Sequence, residues 1–195
     1  NNSRVEELYG GIKGALTDHF TYNVKVGINK ITNQQYFMND TSSGKSFMVL
    51  NDPSVNMFNF TGEIGYTVGD KFSLSSQLIL RKYTGVLDAY EKPFGLLPFE
   101  SKTSLRLMLL RDLYVTSDLV AFDGAWYKTK EDGRGRQKGA IDLNAGLEFG
   151  IVKNVKLWAQ FNNIMNNEYE RWKQYPVYGF NLLGGVVFSF DQTSK

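Results

Sequence analysis

The chain has 195 residues, with 22 basic and 20 acidic side chains and a formal net charge of +2. This length suits one domain, and the near balance of charge gives no reason to expect nucleic acid as a partner. Cysteine is absent and His19 is the single histidine, which excludes disulfides and metal sites of the His/Cys type and disfavours a Ser-His-Asp triad. We therefore expect no enzyme activity, no catalytic residue, no metal and no cofactor.

Alternation of apolar and polar residues with period two dominates the chain. Between Ile141 and Phe149, for example, every second residue is apolar, and the residues between them are Asp142, Asn144, Gly146 and Glu148. Successive side chains of a strand point to opposite faces, so such a run predicts a strand with one apolar face. The predicted strands cover residues 7–16, 20–29, 58–66, 72–81, 102–109, 113–126, 141–149, 155–162 and 178–190. The run 113–126 alternates poorly, because Val120, Ala121 and Phe122 are apolar on both faces.

The predicted connections alternate between tight turns and long loops. The tight turns cover residues 17–19, 68–71, 111–112 and 152–154, and the long loops cover residues 31–54, 83–100, 127–138 and 165–177. Short turns at one end and long loops at the other are typical of transmembrane barrels. We therefore predict an all-β chain that forms a transmembrane antiparallel up-and-down β-barrel. Nine strands is an odd number, so we expect residues 1–195 to be a single barrel segment, the C-terminal part of a larger barrel.

A soluble barrel also alternates, but three features favour a membrane barrel. The polar face carries charges of both signs, as a wet lumen would, and its candidate lumen-facing residues are Lys13, Lys25, Glu63, Arg81, Arg106, Asp142, Glu148 and Lys156. Aromatic residues gather near strand ends, as at a membrane–water interface, and the candidates are Tyr66, Phe72, Trp126, Tyr169, Trp172 and Tyr175. The last strand ends in Phe188 and Phe190, which resembles the signal that the outer-membrane assembly machinery reads.

The C-terminal third resembles a known family of membrane barrels. Residues 157–169, with Asn163, Ile164, Asn166 and Tyr169, look like the penultimate strand and loop of TonB-dependent receptor barrels, and residues 175–179 resemble the segment before their last strand. Residues 9–36 are similar to hairpins of the Bacteroidota branch of these receptors. The resemblance implies an outer-membrane location in a Gram-negative bacterium. We expect the plug domain and the TonB-binding segment of the family to lie outside this sequence.

Three functions remain open at this point. A receptor or transporter for a nutrient ligand is the leading hypothesis, and a structural or assembly component of the envelope and a passive porin-like channel are the alternatives. The expected partners are the lipid bilayer with its lipopolysaccharide, the assembly machinery, and TonB or other envelope proteins. Basic residues of the third long loop could contact lipopolysaccharide phosphates, although a solvated loop explains them more simply; they are Lys128, Lys130, Arg134, Arg136 and Lys138.

Overall fold

The computed structural model describes residues 2–39, 47–86, 92–129 and 133–190, and these residues form strands and no helix. The strands are β1 (Arg4–Ala15), β2 (Phe20–Asn39), β3 (Phe47–Val68), β4 (Phe72–Thr84), β5 (Phe99–Leu110), β6 (Leu113–Phe122), β7 (Trp126–Thr129), β8 (Gly133–Arg136), β9 (Ala140–Val152), β10 (Val155–Asn162), β11 (Glu170–Trp172), β12 (Tyr175–Pro176) and β13 (Asn181–Phe188). No helix of the described residues is long and apolar enough to cross a membrane.

Nine of these strands form one antiparallel sheet, in the order β1-β2-β3-β4-β5-β6-β9-β10-β13. The sheet strands are therefore neighbours in the order in which the chain reaches them, as an up-and-down topology requires. The two pairs β7-β8 and β11-β12 form separate two-stranded sheets within the long connections. The predicted all-β antiparallel fold and the predicted number of sheet strands are confirmed.

The register aligns the apolar residues of all sheet strands on one face. A single row of paired residues runs Phe20–Tyr66–Leu74–Leu105–Ser117–Ala145–Phe161–Leu182 across eight strands. Directly paired residues of neighbouring strands point to the same side, so the face continues from strand to strand. Many of its side chains are exposed, among them Leu8 at 77% and Ile12 at 66%. We call this side of the sheet the apolar face and the opposite side the charged face.

The poorly alternating strand β6 obeys the same rule. Val120 pairs with Lys102 and Asp142, which places it on the charged face, and Phe122 lies on that face one row higher. Phe122 is buried there because Tyr169 packs edge-on against its ring, with 5.4 Å between the ring centroids. Val120-Ala121-Phe122 thus lacks alternation because a loop covers the charged face at this height.

The predicted long loop 31–54 was wrong in its described part. Strands β2 and β3 continue to Asn39 and from Phe47, and pair from Gln34 with Asp52 up to Asn39 with Phe47. Residues 40–46, 87–91 and 130–132, which fall within three of the predicted loops, lie outside the described residues.

The error has a physical cause at the pair Asn33 and Pro53. Asn33 adopts a left-handed φ of 57°, and Pro53 opposite has no N–H to donate. Beyond this point the buried residues change from odd to even positions, from Ile31 and Val55 to Tyr36 and Met38. A phase change in the alternation looks like the end of a strand, although the pairing register is unchanged.

A small core lies at the long-loop end of the sheet. Its buried side chains are Tyr36, Met38, Val55 and Phe94, and Trp126 is among the partly buried residues that pack on it. The core therefore joins the β2-β3 hairpin to the connection after β4 and to β7. Two other predicted loops are also structured, since β7-β8 and β11-β12 lie within them. The tight turns carry no comparable cluster among the described residues.

Candidate functional site: the charged face and its upper loops

The eight predicted charged residues all lie on the charged face. One row of paired residues runs Lys13–Asn23–Glu63–Gln77–Lys102–Val120–Asp142. Lys25, Arg81, Arg106, Glu148 and Lys156 occupy other rows of the same face. The register brings these residues together, whereas their position in a lumen stays a prediction.

Charges of opposite sign pair across neighbouring strands on this face. Arg81 forms an ion pair with Glu100, Lys102 lies 3.7 Å from Asp118, and Arg106 lies 3.6 Å from Glu148. Arg106 also stacks over the ring of Tyr114, at 4.2 Å from its centroid. Each pair is partly exposed, so it adds little to stability, but together the pairs fix the orientation of long side chains across the face.

Two acidic residues of strands β1 and β3 are held by several partners. The Glu63 carboxylate accepts hydrogen bonds from Asn23 at 2.9 Å and from Gln77 at 2.7 Å. Glu7 lies 3.0 Å from the Lys25 ammonium, which in turn sits over the Tyr9 ring. Glu63 thus bridges β2, β3 and β4, and Glu7 joins β1 to β2.

A groove on the charged face lies between these groups. It has a volume of about 820 Å³ and is lined by Lys13, Glu63, Gln77, Lys102 and small residues such as Ser75. Lys13 and Lys156 have no ion-pair partner among the described residues. The groove therefore combines the fixed carboxylate of Glu63, amide groups and the unpaired ammonium group of Lys13, and it could bind a polar solute or a polar protein surface.

The sequence reasoning missed several partners of the predicted residues. Glu7, Glu100, Lys102 and Asp118 complete the ion pairs of the charged face. Glu100 was assigned to a loop and Asp118 to the poorly alternating run, so neither had a predicted face. The signal that could have found them is strand pairing, because an unpaired charge on one strand favours an opposite charge on its neighbour.

An asparagine-rich turn follows β10, and its hydrogen bonds explain why asparagines occupy the segment that resembles TonB-dependent receptor barrels. Asn163 is buried, and its side-chain amide donates to the carbonyls of Asn167 at 3.0 Å and Tyr178 at 3.1 Å. Its backbone N–H donates to Asn144 Oδ1, at 2.9 Å. Asn166 Oδ1 accepts from the Phe180 N–H, also at 2.9 Å. Asn163 and Asn166 both have left-handed backbones, which asparagine tolerates better than most residues.

The same turn fixes Tyr169 above the charged face. The Tyr169 hydroxyl donates to Asp142 at 2.6 Å, and its ring packs on Phe122. Burial, and then the bond to the Asp142 carboxylate, raise the pKa of Tyr169 to about 12. The hydroxyl is therefore protonated at neutral pH and keeps the loop after β10 attached to β9.

The six predicted interface aromatics have different surroundings. Tyr66 and Phe72 meet edge-on beside a tight turn, on the apolar face, with 5.9 Å between their ring centroids. Trp172 and Tyr175 contact Phe47 at the long-loop end. Trp126 packs on the small core and Tyr169 bonds to the charged face, so both contact protein. Their placement at a membrane interface stays a prediction.

The two phenylalanines of the predicted C-terminal signal lie at the end of β13. Phe188 pairs with Val155 on the apolar face, and Phe190 follows the strand and is 90% exposed. Of the predicted basic loop, Arg136 forms an ion pair with Asp123, and Lys130 lies outside the described residues. Recognition of the two phenylalanines by assembly machinery stays a prediction.

Comparison with known proteins identifies the fold. No family model and no curated protein sequence matches the chain. Solved structures that it resembles include the FrpB iron transporter from Neisseria meningitidis (TM-score 0.70, 14% identity, 96% of this chain and 31% of that chain). The siderophore receptor PiuA from Acinetobacter baumannii is similar (TM-score 0.73, 14% identity, 94% and 28%). So is the ferripyoverdine receptor of the outer membrane of Pseudomonas aeruginosa (TM-score 0.71, 11% identity, 96% and 27%).

These matches confirm the fold that the sequence motifs suggested. The sheet has the fold of outer-membrane receptor barrels of the TonB-dependent type, which agrees with the predicted resemblance and location. The chain spans less than a third of the length of the solved chains it matches. At this identity the likeness concerns the fold, so activity, ligand and partners of the whole protein are proposals.

Proposed function

We propose that this chain is part of the wall of an outer-membrane receptor barrel that binds or moves a nutrient ligand. The apolar face meets lipid, the charged face lines the lumen, and the long loops lie outside the cell. The observation that carries the proposal is the predominantly apolar face, exposed on nine paired strands and backed by a face of paired charges.

The height of the apolar face supports the lipid assignment. On β3 the apolar positions extend from Phe58 to Val68, ten residue steps along the strand. At roughly 3.4 Å per residue and a tilt of about 40°, this stretch is about 26 Å tall. The apolar band of a transmembrane barrel has a height of about 25 Å. The row above, Lys30–Asn56–Thr84, is polar, as expected where the hydrocarbon ends.

The two open edges of the sheet support the view that this chain is a segment of a barrel. Strands β1 and β13 are the two edges of the sheet, and lipid offers no hydrogen bonds to an open edge. Further strands must therefore pair with both edges, and we propose that they come from polypeptide outside this sequence. The matched receptors, of which this chain covers 27% to 31%, offer a precedent for a wall of that size.

Binding and transport fit the charged face better than catalysis does. His19, the single histidine of the sequence, lies beside a tight turn, where its Nδ1 is 2.9 Å from the Thr67 carbonyl. The matched proteins are an iron transporter and siderophore receptors, which favours a metal or metal chelate as the ligand.

Uptake in cells tests the proposal. Cells with and without the gene would be given radioactive ferric and cupric ions, free or chelated, before and after collapse of the proton gradient. A receptor predicts that deletion reduces uptake of one probe and that collapse of the gradient abolishes it. Unchanged uptake in the deletion strain would favour a structural component, and uptake that survives the collapse would favour a passive channel.

A further inference from the structure

A glycine on the charged face leaves a depression between three strands. Gly146 of β9 lies between Thr116 of β6 and Gln160 of β10 in one row of paired residues. Two positions away along β9, on the same face, stand Asn144 and Glu148. Because glycine has no side chain, these four neighbours surround an open space. We call the space above Gly146 the glycine depression.

The glycine depression has the size of a small ligand. Its volume is about 240 Å³, and its lining also includes Asp118 and Trp158 from the neighbouring rows. The flanking strands β6 and β10 are two strand spacings apart, which is about 10 Å at roughly 4.8 Å per strand. Four residue steps of β9 separate its upper and lower ends, which is about 14 Å at roughly 3.4 Å per residue. The space therefore admits one small ring with its substituents.

A tryptophan borders the glycine depression and offers a flat apolar surface. Trp158 of β10 pairs with Glu148 on one side and with Gly185 of β13 on the other. A Cβ atom at Gly185 would lie 2.8 Å from Trp158 Nε1 and 3.0 Å from its Cε2 and Cζ2 atoms. The indole therefore occupies space that a side chain at this position of β13 would fill. It remains partly exposed, so part of its ring surface is open to a ligand.

Hydrogen-bonding groups that the protein does not use line the same space. The Thr116 hydroxyl lies 2.5 Å from where a Cβ atom of Gly146 would stand, so it points over the glycine. Among the described residues this hydroxyl has no hydrogen-bond partner. Gln160 Nε2 and Asn144 Oδ1 each make a hydrogen bond within the protein, whereas Gln160 Oε1 and Asn144 Nδ2 make none to a described residue. A hydroxyl, a carbonyl and an amide can thus bond to a ligand.

The charges around the glycine depression favour a neutral ligand. Its two carboxylates are both paired with cations, since Glu148 lies 3.6 Å from Arg106 and Asp118 lies 3.7 Å from Lys102. These carboxylates would repel an anion. A cation over the indole would be repelled by Lys156, which lies on the same face of β10 beside the indole. A neutral ligand with hydroxyl groups meets neither penalty.

We propose that the glycine depression binds a neutral pyranose sugar, whose C–H face lies on the Trp158 indole and whose hydroxyl groups bond to Thr116 and Gln160. A sugar ring carries hydroxyl groups around its edge and apolar C–H bonds on its faces. It therefore matches a flat aromatic surface that stands beside polar groups without partners. This inference goes beyond the proposed metal ligand, and it rests on one part of the proposed function, the water-filled side of the sheet.

Saturation-transfer NMR on the full-length natural protein, purified from outer membranes in detergent, tests the site. The probes are glucose, galactose and mannose, each titrated to give a dissociation constant. Sorbitol is the control solute, because it carries similar hydroxyl groups on an open chain that has no rigid ring face. We expect the wild type to bind at least one of the three sugars, and to bind sorbitol about tenfold more weakly.

Three variants and a matched control locate the binding. Trp158→Leu removes the aromatic surface and should weaken sugar binding about tenfold, whereas Trp158→Phe retains a ring and should stay within about threefold of wild type. Thr116→Val keeps the shape, removes the hydroxyl and should weaken binding about fivefold. The control Trp172→Leu removes a tryptophan of similar exposure at the long-loop end, in β11, and should leave the affinity unchanged.

The outcomes separate this inference from the proposed function. Folding of each protein in the membrane would first be checked by heat-modifiable migration on a gel. Wild-type protein that does not insert overturns both proposals. Inserted wild type that binds none of the sugars, or binds sorbitol equally well, overturns only the sugar site. A folded Trp158→Leu or Thr116→Val variant with wild-type affinity does the same. Sugar binding by a protein whose deletion leaves metal uptake unchanged would overturn the proposed metal ligand and keep the sugar site.

Discussion

Arginine at the middle of the apolar face should strongly destabilise the folded protein, whereas arginine on the charged face should have little effect on its stability. Ile64 lies near the middle of the band on β3, in the row Tyr22–Ile64–Ser76, and is 46% exposed. Ser75 lies at a similar height on the charged face, between Gly65 and Ser104. The small neighbours leave room for a long side chain that can reach water in the lumen.

The expected difference follows from the depth of Ile64. An arginine that faces lipid at the bilayer midplane costs about 2–4 kcal/mol, and a lumen substitution costs little. At about 1.4 kcal/mol per factor of ten, Ile64→Arg should lower the folding equilibrium constant roughly 30- to 700-fold. Ser75→Arg should stay within about threefold of wild type.

Refolding into lipid vesicles, followed by heat-modifiable migration, measures the folded fraction of each variant over a urea series. Equal loss in the two variants, or greater loss for Ser75→Arg, would refute the assignment of the faces. The pair Leu143 and Asn144 also points to opposite faces, but it is a poorer choice. Asn144 Oδ1 accepts the N–H of buried Asn163, so Asn144→Arg would do harm for an unrelated reason.

Three further predictions concern the loops and turns. Asn163→Ala removes three side-chain hydrogen bonds and places alanine at a left-handed backbone position. It should therefore lower the free energy of unfolding, measured by urea titration, by about 2–4 kcal/mol. The control Ile164→Ala, at the exposed neighbouring position, should change that free energy by less than about 1 kcal/mol. The pKa of Tyr169 is raised in the folded state, so the contribution of Tyr169 to stability is complete below the usual tyrosine pKa of about 10 and is lost as pH rises toward 12. In the absorbance titration at 295 nm, the variant Tyr169→Phe should lack one late-titrating tyrosine. An unchanged titration would contradict the assignment. In intact cells a membrane-impermeant maleimide should label Lys128→Cys and not Asp70→Cys, and the reverse result would invert the proposed orientation.

Period-two alternation determined the architecture of this protein, because a strand that separates lipid from water must alternate along its own length. Residues 141–149 reveal both of their faces without any knowledge of β6 or β10. The eight candidate lumen-facing residues, from Lys13 to Lys156, could be assigned to one face of the sheet for the same reason. The tight turns were likewise visible, since each alternating run has a definite beginning and end, but the long connection 31–54 was not, because its described part continues β2 and β3.

Tertiary structure alone decided which residues meet across strands and above them. The partners of Arg81, Lys102 and Arg106 depend on register, which joins residues far apart in the chain. The extension of β2 and β3 past Asn33 and Pro53 depends on a ladder that continues while the side-chain phase changes. Burial of Phe122 depends on Tyr169, 47 positions further along the chain. Alternation is a local property of a strand, but pairing and burial are relations between strands, and a single run of residues does not contain them.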